Sequence, residues 1–284
     1  PSPRPYQAEV LSVIKWALDN DEFDNIVVQA PTGIGKSAIA MTMQKWFQSA
    51  YLLTPTLGLT QQYRRDYGSM MKEVKGRANF PCWVRNGNAA NAPCWTSRGA
   101  CPHTKRDDPC PYYEQKFAAA DSRLTLSNPA YLFRVIQSDT LFDQRDFAII
   151  DEAHNMEPFL LDLFEVRITL QDYQTVFGSR ANFPMLYHPA DWVEPLTEMK
   201  KTAEFGIAAA EDSGDENALD KFRALLDKTS VAIELLKNPN QVVVENESDK
   251  GGRYLKIKPI RVRKIAAERL EQISRKRIFL SATI

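Results

Sequence analysis

Apolar positions along this chain change spacing from segment to segment. Over residues 6–18, Val10, Ile14, Ala17 and Leu18 recur at helical spacing, as in a helix that turns one face to a core. Two short runs lack that period: Ile26-Val27-Val28 and Phe147-Ala148-Ile149-Ile150. Such runs, bounded by turn residues, read as buried strands. The pattern predicts strands near 26–30, 50–54, 123–127, 146–150 and 277–281, and helices near 36–48, 57–73, 129–138 and 264–274. Strands alternating with helices describe an α/β domain with a parallel sheet and helical crossovers.

Two stretches interrupt that alternation. Residues 76–113 are rich in cysteine, proline and glycine and show little periodicity, which suits a small domain held by something other than an apolar core. Residues 156–257 read as mainly helical, with Leu219, Phe222, Leu225, Leu226, Ile233 and Leu236 at helical spacing. Within them, Glu211 to Glu216 reads as an exposed loop tip, and Gln241–Val244 and Arg253–Ile257 read as a hairpin around Asp249-Lys250-Gly251-Gly252.

Chemistry enters where two of the predicted strands end. Ala30-Pro31-Thr32-Gly33-Ile34-Gly35-Lys36-Ser37 follows the first. Glycines let the backbone approach a phosphate, and successive N–H groups at a helix start form an anion nest. Lys36 is expected to reach the β- and γ-phosphates of ATP, and Ser37 to hold Mg²⁺. Thr32, Gly33, Ile34 and Gly35 complete the cradle. Ala30 stands where the commonest version of this loop has glycine. Asp151-Glu152-Ala153-His154 follows the strand at 146–150. The Asp151 carboxylate suits Mg²⁺, mostly through water, and Glu152 can orient or deprotonate the attacking water. His154 is expected to link this site to Ser281 and Thr283.

The only four cysteines are Cys82, Cys94, Cys101 and Cys110, in the spacing C-x11-C-x6-C-x8-C. In a reducing interior such a group suggests a metal site rather than disulfides. Structural zinc sites use short C-x(2–4)-C knuckles, and none is present. Iron–sulfur clusters accept looser spacings, so a 4Fe–4S cluster on the four thiolates is preferred, with zinc and unligated thiols as alternatives.

With these motifs in this order, the sequence resembles the iron–sulfur superfamily 2 helicases of the XPD/DinG type. Arg4-Pro5-Tyr6-Gln7 looks like the motif whose glutamine reads adenine. Thr54-Pro55-Thr56 with Leu59 looks like the segment that contacts the DNA backbone. Ser127-Asn128-Pro129-Ala130-Tyr131-Leu132 and Arg277 to Thr283 are similar to further family motifs. The resemblance implies a RecA-like lobe with helices on both faces, from residues 1–75, 114–155 and 258–284. It also implies a cluster domain at 76–113 and an arch-like domain at 156–257. ATP, Mg²⁺ and a 4Fe–4S cluster would be the cofactors, and single-stranded or forked DNA the partner. The activity implied is ATP-driven 5′→3′ translocation and unwinding by a monomer. A second RecA-like lobe, which would supply arginine fingers, is not found within residues 1–284. A fragment of this extent is expected to bind ATP weakly and not to unwind duplex alone.

Composition adds bounds. The 36 basic and 36 acidic residues balance, so overall charge does not announce nucleic acid. Residues 250–277 hold eleven Lys and Arg against two Glu, a stretch that is equally readable as a solvated face. Trp83, Trp95, Tyr112 and Tyr113 beside Arg85, Arg98, Lys105 and Arg106 could stack and steer single strands or could simply pack the small domain. No apolar run reaches the ~20 residues of a membrane span, and the expected location is the cytoplasm, or the nucleus in a eukaryote. Two other functions fit the same motifs: a nucleotide-dependent remodeller that moves no strand, and a redox or DNA-damage sensor built on the cluster.

Overall fold

The computed structural model describes residues 3–20, 23–84, 86–92, 94, 101–138 and 140–283. Arg85, Trp95 and Arg98 lie outside the described residues. The elements in chain order are α1 (Pro5–Asp19), β1 (Asn25–Gln29), α2 (Lys36–Met43), β2 (Ala50–Leu53), α3 (Leu57–Tyr67), β3 (Lys72–Glu73), α4 (Pro111–Ala120), β4 (Leu124–Ser127), α5 (Pro129–Ser138), β5 (Arg145–Ile150), α6 (Met156–Leu163), β6 (Val166–Thr169), α7 (Leu170–Phe177), α8 (Val193–Ser213), α9 (Glu216–Leu236), β7 (Val242–Asp249), β8 (Gly252–Pro259), α10 (Arg263–Ile273) and β9 (Ser274–Ser281). Two compact units are formed, one from residues 1–95, 99–159 and 264–284, the other centred on Leu160–Arg263. Among the described residues no helix is long and apolar enough to cross a membrane.

The first unit is a RecA-like α/β fold. Its sheet runs β1-β9-β5-β2-β4-β3, with every pairing parallel and helices on both sides. The central strands are buried on both faces because crossover helices cover them. Leu52, Leu124, Leu126, Phe147, Ile149, Ile278 and Leu280 meet Leu11, Ile14, Ile39 and Met43 in one core. The Phe47 ring stacks on Phe147 with centroids 3.9 Å apart.

Two details depart from the sequence pattern. β1 reads as a buried strand but alternates, with Val27 57% exposed. It is the sheet edge, with β9 as its only strand neighbour among the described residues. The helix expected over 57–73 ends at Tyr67, and Lys72–Glu73 instead form the opposite edge strand, paired with β4. Two residues are too short for alternation to show.

The second unit pairs a three-stranded antiparallel sheet, β6-β8-β7, with helices. It is mainly helical, as the sequence suggested, with one strand, β6, that was not anticipated. Val166, Ile168, Leu255 and Ile257 from the sheet pack with Trp192, Leu196, Met199, Leu225 and Leu236 from the helical side. The expected hairpin forms with Asp249 paired to Gly252. The expected loop at 211–216 shrinks to a helix–helix turn. α8 continues to Ser213, Gly214 takes φ +69°, and the Asp215 side chain caps α9 by accepting from Asn217 N and Ala218 N.

Candidate functional site

The parallel topology brings the motifs to one edge. β9 lies between β1 and β5, so their C-terminal ends stand in a row. Ala30 N donates to Ser281 O at 2.8 Å, tying the glycine-containing loop after β1 to the end of β9. The carboxyl edge of an open α/β sheet is where ligands bind.

Within the loop, Gly33 and Gly35 adopt φ +83° and +88°. These left-handed values favour glycine and fold the segment into a turn at the start of α2. Thr32 and Gly33 are exposed at its tip. Lys36 is 9% exposed, and its Nζ lies 3.4 Å from both Ala30 O and Glu152 Oε1. The loop lysine and the acidic motif therefore meet directly. Gln7 is buried beside the loop. Its Nε2 donates to Ile34 O at 2.8 Å, and its Oε1 accepts from Arg4 N at 2.9 Å. Tyr6 is 36% exposed, with its hydroxyl accepting from the Arg4 guanidinium.

Asp151 is 1% exposed. Its Oδ1 accepts from Glu152 N at 2.9 Å and its Oδ2 from Tyr63 Oη at 2.7 Å. Burial raises the carboxyl above its ordinary value, and these two hydrogen bonds oppose the rise. Glu152 has φ +50°, unique among non-glycine residues in the described chain. Such strain, of order 1–3 kcal/mol, persists at sites where surroundings impose it. Here it places the carboxylate 3.4 Å from both Lys36 Nζ and His154 Nδ1. His154 Nδ1 is also 2.9 Å from Ser281 Oγ, and Ser281 in turn bonds the backbone of Thr283. The link expected from His154 to Ser281 and Thr283 is present.

Tyr63 was not singled out from the sequence. It is fully buried on α3, and burial followed by the Asp151 charge raises its phenol well above the usual range. A tyrosine within a polar helix gives no signal of this contact, because its partner lies 88 residues away.

Beyond β2 and β4 the same edge carries a cleft of about 250 Å³ lined by residues that include Thr56, Thr60, Glu73, Lys75, Asn128 and Phe159. Thr56 caps α3 by accepting from Leu59 N at 3.4 Å. Asn128 Oδ1 accepts from Tyr131 N at 2.7 Å, with Pro129 opening α5. Proline suits a helix's first turn, where its missing N–H is not needed.

The four cysteines are all free thiols. Cys82, Cys94 and Cys110 belong to one small cluster with Phe80, Ala89, Ala92, Tyr112 and Tyr113. Burial raises the Cys101 thiol, and neighbouring Cys94 and Cys110 add to that rise. Arg77 Nη1 donates to Cys94 Sγ at 3.2 Å, with its guanidinium over the Tyr112 ring at 4.4 Å. Among the described residues, however, no group of three or more His, Cys, Asp or Glu side chains is arranged to hold a metal ion. Of the neighbouring aromatics, Tyr112 is buried while Trp83 is 54% exposed. Arg106 is paired with Asp121.

No curated protein matches this chain. Among solved structures, one titled "Truncated XPD" is similar with a TM-score of 0.55 and 14% identity, covering 99% of this chain and 93% of that one. The Hef helicase domain of Pyrococcus furiosus gives a TM-score of 0.36 and 13% identity, covering 84% and 60%. The first likeness is one of fold. A family model described as type III restriction enzyme, res subunit, matches residues 1–177, which is more than half of the 284 residues. By that match the chain belongs to the type III restriction enzyme res-subunit family, and its first unit is a nucleotide-binding domain of the helicase type.

Proposed function

We propose that this protein is an ATP-dependent DNA helicase of the iron–sulfur kind, or the lobe of one that carries the phosphate loop. In this reading the RecA-like unit binds ATP, residues 76–113 hold a 4Fe–4S cluster, and residues 156–257 serve as an arch beside single-stranded or forked DNA. The observation that carries it is the direct meeting of Lys36 with Glu152 beside a buried Asp151, at the carboxyl edge of a parallel sheet.

Each side chain then has a task. The N–H groups of Gly33 to Ser37 cradle the phosphates. Lys36 exchanges its contact with Glu152 for the β/γ-phosphate charge. Ser37 and Asp151 hold Mg²⁺, which when bound neutralises charge on the phosphate oxygens. Glu152, freed from Lys36, orients the attacking water and accepts its proton. Gln7 reads adenine while its Nε2 grips Ile34 O. Thr56, Lys75 and Asn128 in the neighbouring cleft suit a DNA backbone: two polar side chains and a cation within one groove.

Support for the cluster is the chemistry of the donors. All four cysteines are free, Cys82, Cys94 and Cys110 share one small cluster, and the cation of Arg77 donates into Cys94 Sγ. Structural zinc sites use short C-x(2–4)-C knuckles, and the sequence has none; iron–sulfur clusters accept looser sequence spacings.

The test is DNA-stimulated hydrolysis. With Mg²⁺ and both RecA-like lobes of the proposed helicase present, single-stranded DNA should raise the rate of ATP hydrolysis, and Glu152→Gln should abolish hydrolysis while nucleotide still binds. Hydrolysis by Glu152→Gln at the wild-type rate would remove Glu152 from its role. Hydrolysis indifferent to DNA would overturn the helicase reading.

A further inference from the structure

We infer that Tyr63 is a positioning residue for the Mg²⁺ of the nucleotide, holding the Asp151 carboxylate through a buried hydrogen bond; the inference rests on the nucleotide-site reading above. Tyr63 Oη donates to Asp151 Oδ2 at 2.7 Å, and both residues are buried. A phenol has one proton to give, and an ionised carboxylate can only accept it. The direction of this bond is thereby fixed. Asp151 has one bond to each oxygen, from Tyr63 and from Glu152 N, and neither oxygen can rotate away without losing a partner.

The placement of α3 supports this role. Thr54 Oγ1 and Thr60 Oγ1 are 2.6 Å apart and buried, which ties the first turns of α3 to the end of β2. Tyr63 follows Thr60 by three residues and so lies on the same helix face. A tyrosine that merely filled space would be replaced by phenylalanine without a change in metal dependence. The two roles therefore separate on the hydroxyl alone.

The experiment is titration of a fluorescent ATP analogue into the chain at a series of Mg²⁺ concentrations and in excess chelator. Tyr63→Phe should raise the half-saturating Mg²⁺ by about tenfold, with affinity in chelator unchanged. That pattern would not arise from a general loosening of the fold, which would weaken binding under both conditions. Lys36→Ala is run beside it. Should Lys36→Ala bind like the wild type, the nucleotide-site reading itself fails. Should Lys36→Ala lose binding while folded Tyr63→Phe keeps the wild-type Mg²⁺ dependence, the role of Tyr63 alone is overturned. If Tyr63→Phe does not fold, 3-fluorotyrosine at position 63 of the otherwise native chain gives the same decision. Its ¹⁹F resonance should move when Mg²⁺ is added to the nucleotide complex, and a resonance that ignores Mg²⁺ contradicts the inference.

Discussion

Gly35 is the residue at which backbone conformation and the proposed phosphate chemistry meet most tightly. With φ +88°, a side chain there is strained by roughly 1–2 kcal/mol. An added Cβ would also lie 2.4 Å from Gln7 Nε2. That amide is a movable side-chain end, so it would shift and release Ile34 O. Gly35→Ala should therefore lower the thermal midpoint and weaken nucleotide binding together. A variant with wild-type values of both in calorimetry and titration would contradict this account of the loop. Lys116 makes a different residue-scale claim. It is 4% exposed, and burial, then the nearby Arg77 charge, push it down to about 8. The folded state thus releases this proton more readily than the unfolded chain, whose lysine titrates near 10.4. Between those two values the unfolded state binds more protons, so stability rises with pH there. Below pH 8 the full cost of the buried charge is present. Lys116→Met in the metal-free chain should stabilise most at pH 7, with its advantage shrinking toward pH 10 in chemical denaturation. An advantage independent of pH would argue that Lys116 stays charged.

At the scale of elements, what was legible followed from how much of a pattern each element repeats. β5 and the glycine turn after β1 were readable because an apolar run ends at a motif with a chemical signature. β3 and β6 were not. β3 has two residues, and β6 has four with a polar Arg167 among them. Their pairing to β4 and β8 is set by residues more than 50 positions away, which no local window contains. The helix–helix turn at Gly214 was masked by the acidic residues around it: charge suggested a loop, while the helices on either side keep their charges on solvated faces. The close approach of α8 to α9 was equally silent. A Cβ on Gly206 would fall 2.6 Å from the Phe222 ring. Gly206→Leu should overpack this contact and cost about 1–3 kcal/mol. Limited proteolysis should then cut residues 160–263 sooner while the RecA-like unit survives. Equal protease resistance would show that the two helices can move apart without cost.

For the whole molecule, the sequence order of phosphate loop, cysteines, acidic motif and Ser281-Ala282-Thr283 was enough to place the RecA-like sheet. It did not disclose how the cysteine segment stands. The small aromatic cluster around Tyr112 gives that segment some packing of its own, and Arg77 binds a thiol within it. Protein purified without oxygen should carry about four iron and four sulfide per chain. One zinc and no iron would contradict the cluster. The central claim, that the loop and the acidic motif form one nucleotide site, has a more direct test. A fluorescent ATP analogue is titrated into the wild-type chain and into Lys36→Ala at moderate salt with Mg²⁺. The account predicts saturable binding by the wild type and at least tenfold weaker binding by the variant, because the buried cation facing the β/γ-phosphates is gone. Equal affinity of the two proteins would contradict it.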